Sequence, residues 1–297
     1  MRCLTCGLWI LSWSLVSGFG VAGQVKVDVW NQLLKKHLNA SGRVSYLGVQ
    51  QDVDTLGKFL KSYRQVDPAA WDDATKKAHY INLYNAVMMW NILRYVKHEK
   101  IKVTSSAFTK LKVNKIKVDG GNIWNGDYRV HLGGEKLNLD QIEHGLIRGD
   151  KAQDVPDRWR VQQLDPRIHA AVNCAALSCP PVAAVAYTPA AVDKMLEESF
   201  SRFLQNPKQF SMIGKDKMKA NKILLWYYSD FDTYAQQSLN LKGAGDYLQR
   251  FLSNQPAHKS HIAHFKQTFN DRSSLALRLS RAYDFHYNWQ INDQRND

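Results

Sequence analysis

One long apolar segment in the first third of the chain constrains the fold more than any other feature. The sequence predicts a helix that begins at Asp72 or Asp73 and continues to about residue 97. Apolar side chains fall on nearly every face of this helix, at Ile81, Leu83, Ala86, Val87, Met88, Met89, Trp90, Ile92 and Leu93. A helix that is apolar on most sides is buried on most sides, so the rest of the chain has to pack around it.

Two asparagines interrupt this apolar surface. Asn82 and Asn85 are three positions apart and therefore share a helix face. A buried amide without partners costs roughly 1–3 kcal/mol, so we expect both side chains to be hydrogen-bonded. Two roles are open. The side chains either tie the helix to neighbouring loop backbone, or they act at a site by orienting a histidine or polarising a substrate carbonyl.

The remaining pattern predicts short helices and short strands. Helical patterns cover residues 25–38, 53–63, 140–148, 189–205 and 244–252, and strand patterns cover 111–118, 128–132, 136–139 and 167–173. This mixture predicts an α+β fold in which helices pack around a small, mostly antiparallel sheet. No repeat or low-complexity linker divides the chain, so we expect residues 24–297 to form a single globular domain.

The first 23 residues have the layout of a secretory signal peptide. Arg2 precedes an apolar run over residues 8–16, and small residues follow up to Ala22 and Gly23. The alternative is a membrane anchor, but the run is well short of the roughly 20 residues that span a bilayer. We therefore expect cleavage after Ala22 or Gly23 and a periplasmic or secreted protein.

The chain is basic, with a formal net charge of +13 at pH 7. In an exported protein this charge favours an anionic envelope polymer or a peptide substrate as partner over nucleic acid. No later segment is long and apolar enough to be transmembrane. We see no phosphate loop, dinucleotide fingerprint or Gly-x-Ser-x-Gly elbow, and so expect no cofactor. The histidines and cysteines at 144, 169, 174 and 179 lack the tight pair spacing of a zinc site, so we expect no metal either.

Residues 165–181 contain the only cysteines outside the predicted signal peptide, Cys174 and Cys179. The alternating pattern from 167 to 174 is typical of a strand, which would turn His169 away from Cys174. Three states of Cys174 stay open at this point. It is an inert buried thiol, half of a disulfide with Cys179, or a catalytic nucleophile.

A second group of polar residues lies in the predicted helix at 140–148. Asp140 and Glu143 have the spacing of a capping box, which would give both a structural role. His144 follows in the first turn beside a carboxylate, a setting that suits a general base near neutral pH. The alternative for His144 is a core histidine bonded to backbone. Arg148 closes the segment and is a further candidate.

Four segments in this order resemble one family: YINLYNA at 80–86, LDQIEHGLIR at 139–148, DPRIHAAVNCAALSCPP at 165–181 and ILLWYYSDF at 223–231. They are similar to the domain of unknown function 547, of the exported bacterial type, with a family core at about 70–235. The tail YDFHYNWQIN at 283–292 is similar to the closing segment of bacterial members. The resemblance implies a cysteine at the position of Cys174 also in plant members, with serine in place of Cys179, which favours Cys174 as the nucleophile. It implies no activity.

From the residues we therefore expect a thiol-dependent acyl hydrolase or transferase acting on peptide or amide bonds. Cys174 would be the nucleophile, His144 the base and Glu143 or Asn85 the group that orients it. The other candidates for the site are Asn82, Arg148, His169 and Cys179. The alternative is a non-catalytic envelope binding or scaffold module with a Cys174–Cys179 disulfide.

Overall fold

A computed structural model of the protein describes residues 25–213, 217–252, 266, 269–270, 281 and 283–297. The signal peptide predicted over residues 1–23 lies outside the described residues, so export stays a prediction. Among the helices of the described ranges, none combines the length and the apolar character that crossing a bilayer requires.

The α-helices of the described residues are α1 (Val27–His37), α2 (Tyr46–Gln51), α3 (Val53–Lys61), α4 (Asp73–His98), α5 (Ser106–Thr109), α6 (Val192–Gln205), α7 (Ile223–Trp226), α8 (Tyr228–Leu239) and α9 (Ala244–Leu252). A π-helix covers Gln141–Ile147, and 3-10 helices cover Pro68–Ala70, Val113–Lys115, Asp157–Trp159, Pro166–Ala170 and Gln294–Asn296. The strands are β1 (Lys117–Val118), β2 (Gly121–Asn122), β3 (Val130–Leu132), β4 (Glu135–Leu137), β5 (Phe210–Ile213), β6 (Lys217–Asn221) and β7 (Tyr283–His286).

The long apolar helix predicted from the sequence is confirmed as α4. Asp72 caps its N-terminus by accepting a hydrogen bond from the backbone N–H of Thr75 at 2.8 Å, the usual role of aspartate at this position. Most residues in the middle of α4 are buried on every face. Helices α2, α3 and α6 and the π-helix pack around it, because its apolar surface extends over most of its circumference.

The strands form three small sheets. β1 pairs with β2 and β3 with β4, both antiparallel. In the third sheet β6 lies in the middle, antiparallel to β5 and parallel to β7. Helices packed around small, mostly antiparallel sheets confirm the predicted α+β class.

The buried apolar residues form two clusters, and the cysteine segment, residues 165–181, lies at their boundary. The larger cluster surrounds α4, and the smaller one lies among α6, α8 and α9. Ile168 belongs to the larger cluster and Ala170 to the smaller. The chain after β7 then bonds to the cysteine segment, since Leu177 and Ser178 donate their backbone N–H groups to carbonyls of residues 290 and 288.

The strand predicted over residues 167–173 is wrong. Pro166–Ala170 form a 3-10 helix, and its N-cap Asp165 accepts a hydrogen bond from the backbone N–H of Arg167 at 3.1 Å. The Asp-Pro pair is a helix start, because aspartate caps well and the fixed φ of proline suits the first helical position. Strand alternation therefore does not separate His169 from Cys174.

Candidate active site

A cavity of about 190 Å³ brings together most of the residues singled out in the sequence. Its polar lining consists of Asp140, Glu143, His144, His169, Cys174 and Cys179. Its aromatic lining consists of Tyr84, Trp124, Trp226, Tyr227, Tyr287 and Trp289. Asn82, Asn85 and Arg148 are outside this lining. The cavity is therefore the place where the chemistry of the conspicuous polar residues can meet.

Glu143 and His144 of the π-helix line the cavity. The N-terminal cap of this helix lies earlier in the chain than predicted. Asn138 and Gln141 form the reciprocal pair of a capping box, each accepting a hydrogen bond from the other's backbone N–H at 2.9 and 3.0 Å. The Asp140 side chain makes no capping hydrogen bond. The capping role predicted for Asp140 and Glu143 is therefore wrong, and both residues line the cavity instead.

An arginine, an aspartate and a histidine from three separate segments form a buried charged network. Arg148 donates two hydrogen bonds to Asp230, from Nε to Oδ2 at 2.7 Å and from Nη2 to Oδ1 at 2.8 Å. The Nε2 atom of His169 lies 2.8 Å from the same Oδ2. Burial alone would raise the pKa of Asp230, but the hydrogen bonds from His169 and Arg148 outweigh it and hold that pKa well below its usual range. Asp230 is therefore an ionised acceptor for both partners.

His169 has the arrangement of an oriented base. Because ionised Asp230 accepts from Nε2, the ring proton is on Nε2 and Nδ1 carries a lone pair. Nδ1 is buried and has no hydrogen-bond partner among the described residues. Burial lowers the pKa of His169 in spite of Asp230, which favours the neutral ring. The ring is 1% exposed, stacks on Tyr227 with centroids 3.6 Å apart and lines the cavity.

His144 has the opposite arrangement. Its Nδ1 atom lies 2.8 Å from Nη1 of Arg148, and because a guanidinium only donates, Nδ1 is the acceptor. The proton of the neutral ring is then on Nε2, which lies 3.8 Å from Oδ1 of Asp140. A histidine whose lone pair is already in use is a hydrogen-bond donor to the cavity rather than a base. This differs from the base role expected from the sequence.

Glu143 is paired with tyrosines and not with a histidine. The Tyr227 hydroxyl donates to Oε1 of Glu143 at 2.6 Å. Burial, then the Glu143 carboxylate, raises the pKa of Tyr227 and of Tyr84 well above the ordinary value, so both remain protonated donors. Tyr227 in turn stacks on His169. Glu143 therefore reaches His169 through the Tyr227 ring that packs against it, and its charge opposes the lowering of the His169 pKa by burial.

Cys174 and Cys179 are joined in a disulfide at the wall of the cavity. The hydroxyl of Tyr287 lies 2.9 Å from Sγ of Cys174 and 3.0 Å from Sγ of Cys179. Cys174 is partly exposed, whereas Cys179 is 2% exposed. Of the three states left open by the sequence, the structure shows the disulfide, and reduction would place the Cys174 thiol in the same cavity as His169.

Asn85 and Asn82 bind backbone. Asn85 donates from Nδ2 to the carbonyl of Ala171 at 2.9 Å and accepts from the backbone N–H of Asn173 at 2.8 Å. Asn82 makes the equivalent pair of bonds with Tyr187, at 2.8 and 2.9 Å. Both side chains thus tie α4 to neighbouring loops, the first of the two alternatives, and Asn85 reaches the site only by holding the loop that precedes Cys174.

The loop that carries the cysteines is held by a residue that sequence reasoning missed. Asn173 donates to the carbonyl of Pro180 at 2.7 Å and accepts from the backbone N–H of Ala175 at 2.8 Å and from Asn292 at 2.9 Å. These bonds stabilise Ala175 at φ +60°, a left-handed conformation that costs a non-glycine residue roughly 1–2 kcal/mol. Strain of this kind clusters at functional sites.

Asp230 is the most consequential residue that sequence reasoning missed. It stands in the aromatic run 223–231, where a buried carboxylate requires a partner. That signal was present in the sequence, but nothing in it identified Arg148 and His169 as the partners. Among the described residues, no group of three or more His, Cys, Asp or Glu side chains is placed to hold a metal ion.

Residues 68–204 match the model of a family described as "Protein of unknown function, DUF547". The match covers the first three of the four motifs and supports the family resemblance drawn from them. The family description names no activity. No curated protein and no solved structure gives a significant match to the chain.

Proposed function

We propose that the protein is an exported thiol-dependent acyl hydrolase or transferase acting on a peptide or amide bond, with Cys174 as nucleophile once its disulfide is reduced. The observation that carries this proposal is the free Nδ1 atom of His169, in a ring oriented by Asp230 and sharing the cavity with Cys174. The signal-peptide pattern of residues 1–23 supports a periplasmic or secreted location.

The roles differ from those expected from the sequence. His169 replaces His144 as the base, and Asp230 replaces Glu143 or Asn85 as the residue that positions it. His144 becomes a donor through Nε2, suited to the carbonyl oxygen of a bound acyl group. A nucleophile, a base and a carboxylate that orients the base are the usual three groups of covalent acyl transfer.

An external thiol reductant first cleaves the disulfide by thiol–disulfide exchange and is itself oxidised to a disulfide. The acyl-transfer steps then need only these groups and water or an amine acceptor. The Cys174 thiol gives its proton to Nδ1 of His169 and attacks the acyl carbon. His169 returns that proton to the leaving amine as the C–N bond breaks, which leaves a thioester on Cys174. Water or a second amine then attacks the thioester and passes its proton through His169 back to the sulfur. Hydrolysis or transfer results, according to the attacking group.

The proposal makes activity depend on redox state. The wild-type chain from residue 24 onwards, which lacks Cys3 and Cys6, should gain two hydrogens in intact mass on reduction, and a thiol-directed electrophile should label it only afterwards. In the same chain from residue 24 onwards, Cys179→Ser frees Cys174 without any reductant, while Cys174→Ser is the matched control that leaves only the buried Cys179. An ordinary thiol of pKa near 8.5 is about 3% ionised at pH 7, whereas an activated one of pKa 7 is half ionised. We therefore expect Cys179→Ser to be alkylated about fifteenfold faster at pH 7 than an ordinary thiol.

The histidine assignment is tested in the Cys179→Ser background. His169→Gln should return the alkylation rate to that of an ordinary thiol and move its pH midpoint towards 8.5. His144→Gln should leave the midpoint low, because His144 has no free lone pair for the thiol. A Cys174 thiol that reacts no faster than free cysteine, or a midpoint that follows His144 instead, would contradict the proposal.

The second candidate function is a non-catalytic envelope binding module. The observation that favours it is the disulfide itself, which closes the wall of an aromatic-lined cavity. A protein that binds the same ligand with and without the disulfide, and whose freed Cys174 is unreactive, would fit this candidate and not the first.

A further inference from the structure

The cavity carries negative charge on a protein that is basic overall. The chain has a formal net charge of +13 at pH 7, yet Asp140 and Glu143 line the cavity and no Lys or Arg does among the described residues. The guanidinium of Arg148 contacts the lining residue His144, and its charge is paired with Asp230 through two hydrogen bonds. His144 accepts a hydrogen bond from Arg148 through Nδ1. The described lining of the cavity therefore contains two carboxylates and no Lys or Arg, and burial raises the pKa of one of these carboxyl groups, Asp140.

An aromatic wall of Trp124, Trp226, Tyr287 and Trp289 lies in the same cavity. Trp226 stacks on Trp289 with ring centroids 5.5 Å apart. The ring centroids of Tyr287 and Trp124 lie 4.4 and 5.8 Å from that of Trp289. Trp226 is 39% exposed, so the aromatic wall is partly open to solvent.

The faces of these rings are not used by the protein's own cations. Within the described part of the chain, the cation–π contacts fall on Tyr128, Tyr227 and Phe108. Aromatic rings next to carboxylates are the usual recognition elements for an ammonium group, because the ring face and the carboxylate both attract positive charge. A third element points to a ligand, since the unpartnered Nδ1 of the buried His169 belongs to the same lining.

We infer that the cavity binds an ammonium group. On the proposed function, the substrates are acyl compounds that carry a primary or a quaternary ammonium group near the bond that is cleaved. The ammonium lies against the aromatic wall with Asp140 as its counter-ion, and the acyl carbon faces Cys174. The volume of about 190 Å³ suits an alkylammonium group with a short chain. An anionic substrate would meet Asp140 and Glu143 and be rejected.

Binding is measured on the oxidised wild-type protein, where no catalysis takes place. Three probes of equal chain length are compared by tryptophan fluorescence and by titration calorimetry: butylammonium, 1-butanol and butyrate. We expect butylammonium to bind at least about fivefold more tightly than 1-butanol, and butyrate to bind most weakly. Equal binding of butylammonium and 1-butanol, or tighter binding of butyrate, would overturn the inference.

Two variants assign the effect to the cavity. Asp140→Asn keeps the size of the side chain and removes one charge, so the preference for butylammonium should fall to within about twofold. Asp54→Asn removes an exposed carboxylate on α3, outside the cavity lining, and should change nothing. An unchanged preference in Asp140→Asn would refute the site. Because catalysis is not involved, a protein that binds butylammonium selectively but has an unreactive Cys174 would refute the proposed function and leave this inference standing.

Discussion

Replacing Asp230 by asparagine tests the network that orients His169. Asp230 accepts three hydrogen bonds, two from Arg148 and one from His169, and an amide can accept at only one of its two terminal atoms. The variant turns a donor towards another donor and leaves Arg148 without its counter-ion. Breaking a buried ion pair costs about 3–5 kcal/mol. The Arg148 side chain is 21% exposed, so we expect the lower end, about 3 kcal/mol.

The assay is urea unfolding of the oxidised protein, with thermal unfolding as a second probe. A loss of about 3 kcal/mol corresponds to a fall in Tm of about 6–12 °C for a domain of roughly this size. The pH dependence has a defined sign. Since the pKa of Asp230 is depressed in the folded state, its contribution is complete above its unfolded pKa near 4 and is lost as the pH falls towards the folded value. The variant should lose less stability than the wild type in that acidic range.

A double-mutant cycle with Arg148→Gln separates the ion pair from other effects of the substitution. If the cost comes from the unpaired guanidinium, Asp230→Asn should cost at least about 1.5 kcal/mol less in the Arg148→Gln background. A loss below about 1 kcal/mol in Asp230→Asn, together with a coupling energy below about 0.5 kcal/mol, would refute the reasoning.

Three further predictions test other parts of the site. Asn85→Ala should lower the free energy of unfolding by about 2–4 kcal/mol in urea, because it leaves two buried backbone groups unpaired, and a stable variant would contradict this. Asn138→Ala should lower the free energy of unfolding by about 1 kcal/mol because the helix loses its cap, while Asp140→Ala should lower it by less than about 0.5 kcal/mol. The reverse order would mean that Asp140 is the cap, as the sequence predicted. Burial lowers the pKa of His169 in the folded state, so wild-type stability should fall as the pH drops below about 6.5, where the unfolded state takes up the proton. His169→Gln should show a smaller fall between pH 7.5 and 5.5, and an equal fall would contradict the buried neutral ring.

Local patterns were sufficient for much of the fold. The apolar surround of Asn82 and Asn85 predicted α4 because helical periodicity depends only on residues a few positions apart. The same local rules failed over residues 167–173, where a short alternating pattern was outweighed by the capping aspartate and proline before it. They also placed the helix start at Asp140 when the reciprocal pair of Asn138 and Gln141 defines it.

The sequence by itself determined which residues are chemically conspicuous: two cysteines, two histidines and the polar groups within apolar runs. Only the tertiary structure decided which of them act on each other. His169 and Asp230 are 61 residues apart, and Arg148 and Asp230 are 82 apart. Partnerships at such separations depend on how helices pack, which no local pattern encodes. The direction of each imidazole lone pair follows from those partners, and in the proposed reaction it makes His169 the base and His144 the donor.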